Sequence, residues 1–229
     1  MKPMNLAALA VINLAASLTA NAQIVSFNFA GTFQSVSDEN NVLPADITPG
    51  MTFAGTITYD NSHASDSFPL DSSNGLYRFE GLAANDFSMT LNFGGHTIQW
   101  NSVPPSLPNY IQALNSTPDL LDYAAREFLL DNSPAPGTGG NATAHVQLSD
   151  NSSMVLSSDA LPTVAPVFSA FNSRSFYFDR SNGSDNYEVV GVVTSTTPVP
   201  EPAAIGLTVG LGLIGFAAWR RRARGSMAH

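Results

Sequence analysis

The sequence predicts an all-β protein, a single antiparallel β-sandwich of jelly-roll type, and three observations predict it. Apolar and polar residues alternate with a period of two through most of the middle of the chain. Clusters of Gly, Asn, Ser, Asp and Pro interrupt these runs at short spacing, as turns between strands do. Long helical periods do not alternate with them, which disfavours a parallel βαβ architecture and leaves sheet packed on sheet. With 229 residues and no cysteine, the core must come from apolar burial, and thiol catalysis and cysteine-ligated metals are excluded.

The chain opens on a segment that is not part of that domain. Lys2 lies in a short basic stretch, residues 6–18 are apolar or small, and Ala20 and Ala22 frame an A-x-A cleavage site before Gln23. Residues 1–22 therefore have the form of a secretory signal peptide, cut by signal peptidase. The apolar run is short for a stable membrane span, which favours removal over anchoring.

The predicted domain covers residues 23–197. Its first strand carries Val25, Phe27 and Phe29 on one face, and its second carries Phe53, Gly55, Ile57 and Tyr59. A third follows at 76–80. The clearest alternation is Phe87, Met89, Leu91 and Phe93, which Gly94-Gly95 separates from His96, Ile98 and Trp100, a hairpin with a glycine turn. A strand is next expected over 110–114.

Residues 119–130 admit two assignments. Leu120, Leu121, Ala124, Ala125, Phe128 and Leu129 share a helical face behind Thr117-Pro118, a plausible N-cap and first helical position. The β surroundings favour a strand instead, and the preference here is for the strand. Further strands are expected at 142–148, 175–179 and 187–194, the last two joined through Asn182-Gly183, whose residue types suit positive φ. Residues 195–200, Ser-Thr-Thr-Pro-Val-Pro, have the composition of a short polar linker.

Beyond it, Val199, Pro200, Glu201 and Pro202 precede an uncharged run over 203–219, and Arg220, Arg221, Arg222 and Arg224 follow. Seventeen helical residues reach about 25 Å, marginally enough to cross a bilayer. The arginines would remain cytoplasmic and leave the body of the chain outside. Within the run, residues 210–215 satisfy GxGxxG, but too little chain follows for a second strand and no acidic residue lies beyond, so the glycines fit helix packing better than dinucleotide binding.

Pro-Glu-Pro, a Gly-rich apolar helix and an arginine cluster together resemble the PEP-CTERM sorting signal, here placed at residues 198–229. The resemblance implies recognition of Pro200-Glu201-Pro202 by an intramembrane processing enzyme of the exosortase type. It also implies export across the inner membrane, transient anchoring with the C-terminus cytoplasmic, and a final place in the cell envelope or outside the cell. Residues 50–60 and 146–193 also resemble the β-rich body of many such proteins, a body type of uncharacterised function.

Charge narrows the partners. Residues 23–197 hold 17 acidic side chains against Arg78, Arg126, Arg174 and Arg180, with no lysine, a net charge near −13. Nucleic acid is therefore not an expected partner, since binding it requires neutralising phosphates. The absence of lysine from the body also removes Schiff-base and Ser-Lys chemistry. No HExxH or GxSxG motif is present, and His63, His96 and His145 are widely spaced.

Two acidic clusters are weak calcium candidates, Asp60, Asp66 and Asp71 in one loop and Asp179, Asp185 and Glu188 about another. Neither fits an EF-hand pattern, and Asp also serves turns by bonding its own backbone. No catalytic residue and no other cofactor is assigned. Trp100, Tyr59, Tyr77 and Tyr110 are the aromatic candidates for stacking on sugars, with core packing the stronger expectation for Trp100.

The expectation is an exported, non-enzymatic envelope or matrix protein associated with extracellular polysaccharide. A carbohydrate-binding module is the alternative, and a hydrolase with paired carboxylates drawn from Glu39, Glu80, Glu127, Glu188 or an aspartate is a more distant one.

Overall fold

The computed structural model describes residues 24–79, 86–101, 109–126, 129–130, 133–134, 142–180 and 186–199. Strands follow one another as β1 (Ile24–Asp38), β2 (Thr52–Asp60), β3 (Ser65–Asp66), β4 (Asn74–Phe79), β5 (Phe87–Phe93), β6 (His96–Asn101) and β7 (Asn109–Leu114). They continue as β8 (Asp119–Arg126), β9 (Leu129–Leu130), β10 (Ser133–Pro134), β11 (Ala142–Asp150), β12 (Ser173–Arg180) and β13 (Tyr187–Pro198). Single 3₁₀ turns occupy Asn61–His63 and Phe168–Ala170.

Among the described residues, thirteen strands form one hydrogen-bonded sheet in the order β10-β9-β6-β5-β2-β1-β13-β12-β11-β8-β7-β4-β3. Each described pairing is antiparallel. The sheet curls onto itself, because side chains far apart along it touch. Strands β5 and β4 are eight steps apart, about 38 Å across a flat sheet, yet the rings of Phe87 and Phe79 are 5.4 Å apart. Phe93 on β5 and Phe178 on β12 likewise stack at 6.1 Å.

The all-β, antiparallel expectation stands, with two differences in its finer form. The layers are two halves of one curled sheet rather than two separate sheets, and complete hairpins alternate between them. Thus β3-β4, β7-β8 and β11-β12 join one half, while β5-β6 and β9-β10 join the other. A jelly roll instead passes single strands between its sheets.

Alternation explains the core. Val25, Phe27, Phe29 and Phe33 of β1, Phe53, Ile57 and Tyr59 of β2, and Phe87, Met89, Leu91 and Phe93 of β5 point inward and are buried. Their rings meet Phe176 and Phe178 of β12 and Tyr123 of β8 in edge-on, tilted and stacked pairs. Gly31 permits the closest approach, since a Cβ there would stand 2.0 Å from the Val192 carbonyl oxygen.

The segment over 119–130 contains β8, which lies between β7 and β11, and β9, which pairs with β6. This settles the ambiguity for the strand. Gly94 and Gly95 take φ of 55° and 95° in the β5-β6 turn, as a two-residue hairpin requires. Strands β12 and β13 pair with Arg180 opposite Tyr187, while Asn182-Gly183 lies outside the described residues.

The linker expected at 195–200 is corrected. Ser195, Thr196, Thr197 and Pro198 belong to β13 and sit opposite Ala30, Phe29, Asn28 and Phe27 of β1. Val199 N–H then donates to the Ser26 carbonyl at 3.0 Å. Threonine-rich sequence favours a pleated surface as readily as a linker, and β1 offers the unpaired edge.

A long connection over 151–172 covers one end of the curled sheet. Tyr59 and Tyr77 hydroxyls donate to the carbonyls of Pro162 and Asp159 at 2.9 and 3.2 Å. Asp119, fully buried, accepts from the Val155 and Leu156 amides at 2.9 and 3.0 Å. Phe168 is thereby set edge-on against Phe27 at 5.6 Å.

Candidate functional site

Strand alternation gives each half of the sheet an outward face, and the two faces differ in chemistry. Across β7, β8, β11 and β12 one register row aligns Tyr110, Ala124, His145 and Tyr177. His145 stacks on Tyr177 with centroids 4.5 Å apart at 11°, and Tyr110 meets it edge-on at 6.2 Å. His145 Nδ1 is 3.1 Å from both oxygens of buried Asp122. The Arg126 guanidinium lies 5.5 Å over the Tyr110 ring.

Burial, helped by the Asp122 carboxylate, raises the Tyr110 and Tyr177 pKa values above the ordinary phenol range. Both phenols are therefore neutral donors at physiological pH. The rings stand against one another, so this row offers edges and hydroxyls more than open faces for a sugar to stack on.

The other face lies across β13, β1, β2, β5 and β6. Its outward residues include Ser26, Asn28, Ala30, Thr56, Thr58, Ser88, Thr90, Asn92, Thr97 and Gln99, paired side by side in register. Neutral side chains thus line β1, β2, β5 and β6 together as far as Asp60 at the end of β2, although the body as a whole is strongly acidic. A groove of about 330 Å³ crosses it, with Ala30 and Ala54 between Asn28, Thr56, Asn92, Ser195 and Thr197. Thr56 Oγ1 donates to Asn28 Oδ1 at 2.7 Å, and Thr97 Oγ1 to Asn92 Oδ1 at 3.0 Å. Both amides are oriented with their N–H donors left over.

The sequence-derived calcium candidates do not gather. Asp60 accepts from the Ser62 amide and hydroxyl at 2.8 and 2.6 Å, and Asp71 accepts from those of Ser73 at 3.0 and 2.7 Å. These hydroxyl bonds hold both carboxyls below their ordinary range. Asp66 caps the Phe68 and Leu76 amides. Asp179 and Glu188 do stand opposite one another on β12 and β13, with Thr143 donating to Asp179 at 2.6 Å. Asp185 lies outside the described residues, and among the described residues no three His, Asp or Glu side chains converge as a metal site.

Of the aromatic candidates, Tyr59 is fully buried and cannot meet a sugar, which corrects that expectation. Tyr77 is partly buried against the 151–172 connection, Tyr110 is on the outer row, and the side chain of Trp100 lies outside the described residues. Each body histidine has an aspartate beside it, a feature invisible in spacing because the partners are 23 to 50 positions away.

His63 shows what such a pair does. Its Nδ1 is 2.7 Å from Asp86 Oδ1, and that hydrogen bond raises its pKa above the ordinary value. A raised folded-state value stabilises the fold below about pH 6.5, and this contribution is lost as pH rises through the folded pKa. The ring is 55% exposed, so the energy is small. In an NMR titration the His63 midpoint is expected above that of a free histidine and should fall in Asp86→Asn; an unchanged midpoint would contradict the pairing.

The residues expected to carry the membrane and export signals lie almost wholly outside the described residues. Ala20, Ala22, Gln23, Pro200, Glu201, Pro202, Arg220, Arg221, Arg222 and Arg224 fall outside the described residues, and of the sorting segment Pro198 and Val199 are within them. Among the described residues no helix is long and apolar enough to cross a membrane. No curated protein and no solved structure matches the chain. Residues 198–222 do match the family model of the PEP-CTERM protein-sorting motif, so the chain carries a PEP-CTERM signal, which implies export, envelope-associated sorting and processing by an exosortase-type enzyme.

Proposed function

We propose that the chain is a non-enzymatic component of the cell envelope or extracellular matrix whose β body associates with extracellular polysaccharide. The observation that carries this is the contrast between a body of about −13 and an outward sheet face lined with Ser, Thr, Asn, Gln and Ala. Charged side chains keep the exported body soluble, while the hydroxyl and amide face can exchange water for sugar hydroxyls without desolvating a charge. Signal peptidase would release residue 23 onward, and the 203–219 run would anchor the chain, C-terminus cytoplasmic, until processing.

Fractionating the producing cells tests the association. The chain is expected with the polysaccharide fraction and should be released by enzymatic digestion of that polymer; a chain that stays attached after digestion would overturn the proposal. A chelator is expected to leave retention unchanged, because Asp60, Asp66 and Asp71 already hold their own turns. Release by chelator would instead assign attachment to calcium at the acidic clusters.

A further inference from the structure

The geometry points to the Ala30-Ala54 groove as the binding site for a single strand of neutral polysaccharide, laid across strands β13, β1, β2 and β5. This inference rests on the association proposed above and says where it occurs and with what class of polymer.

Three features select the ligand. The groove spans three interstrand steps, about 14 Å, a length suited to an extended oligomer more than to a single small metabolite. Its floor is the two alanine methyls, which accept the C–H face of a sugar ring, and its walls are side chains that hydrogen-bond hydroxyls. Asn92 on β5 stands opposite Ala54, and Asn28 is two residues along β1 from Ala30, so the two amides border the floor on adjoining sides. Each has its carbonyl oxygen engaged by a threonine hydroxyl, so each amide is fixed with its N–H group available before any ligand arrives. Donors fixed in advance cost less ordering on binding than free side chains.

Charge selects the class of polymer. A uronate or sulfated chain would find no cation among the groove residues, and the acidic body would repel it. A polymer of neutral hydroxyls meets neither obstacle. The opposite outward face, with Arg126, Asp122 and His145, offers charges and closed rings instead.

The test uses the purified full chain, with a soluble unsubstituted glucan and a polyuronate of similar length as probes. The glucan is expected to bind saturably and the polyuronate not to bind. Ala54→Glu should weaken glucan binding at least tenfold, and Asn28→Ala and Asn92→Ala about fivefold each. Ala54→Gln, which fills the groove without charge, should weaken it similarly. Ser173→Glu, on the exposed outer side of β12, should leave it unchanged and controls for folding.

Glucan binding that survives Ala54→Glu, or binding of the polyuronate alone, would overturn the groove assignment. The digestion result would still stand and keep the wider association. A chain that binds neither probe, yet is freed from cells by digestion, would likewise remove the groove assignment alone.

Discussion

Phe33→Ala is expected to lower the unfolding free energy by about 3–5 kcal/mol, read as a fall in the urea midpoint at unchanged slope. Phe33 lies where the curled halves meet. Its ring is 5.1 Å from Phe53 and 5.2 Å from Phe93 on its own half, and 6.4 and 6.1 Å from Phe176 and Phe178 across the core. Truncation would remove a contact shared by both halves and leave a cavity that the paired strands around it cannot close. Phe33→Leu, which keeps most of the volume, should lose far less. If Phe33→Ala cost under about 1 kcal/mol, the two halves would not share a core at this position.

The same contacts mark how far the sequence could be followed. Alternation located β1, β2, β5, β11, β12 and β13 because one face of each is buried and the other is wet, and period two then survives in the residue types. It left β8 open to a helical reading for a definite reason. Leu121, Tyr123 and Ala125 point into the core, but outward-facing Ala124 is also buried, flanked in its register row by Tyr110 and His145. A strand covered on both faces reads as a continuous apolar run, which helical spacing fits equally well. Strands β3, β9 and β10, at two residues each, are too short to carry a period at all.

What joins residues across strands was not legible. Ser26, Asn28, Thr56, Thr90 and Asn92 are ordinary solvent-side residues in sequence; only the register of β1, β2 and β5 makes them one neutral surface. The His145-Asp122 pair depends on the register of β8 and β11 in the same way. The PEP-CTERM signal could be read directly because it is a contiguous pattern, and such a signal needs no tertiary contact to be recognised.

A chain ended after Thr194 is expected to be less stable than one ended after Val199 by about 2–4 kcal/mol, at roughly 1 kcal/mol net for each backbone hydrogen bond lost. The removed residues fill the edge of β1, with Pro198 opposite Phe27 and Val199 bonded to Ser26. Without them this stretch of β1 becomes an unpaired edge beside the core rings of Phe27 and Phe29. The sorting match begins at residue 198, so Pro198 and Val199 belong both to the sheet and to the matched segment. A processing enzyme that leaves the body intact must therefore cut after Val199, and Pro200 is the next residue along. Mass spectrometry of the exported chain is expected to find its C-terminus at Val199 or beyond. A mature end at or before Thr194, combined with an undiminished urea midpoint, would mean that the last rungs of β13 contribute nothing to the exported fold.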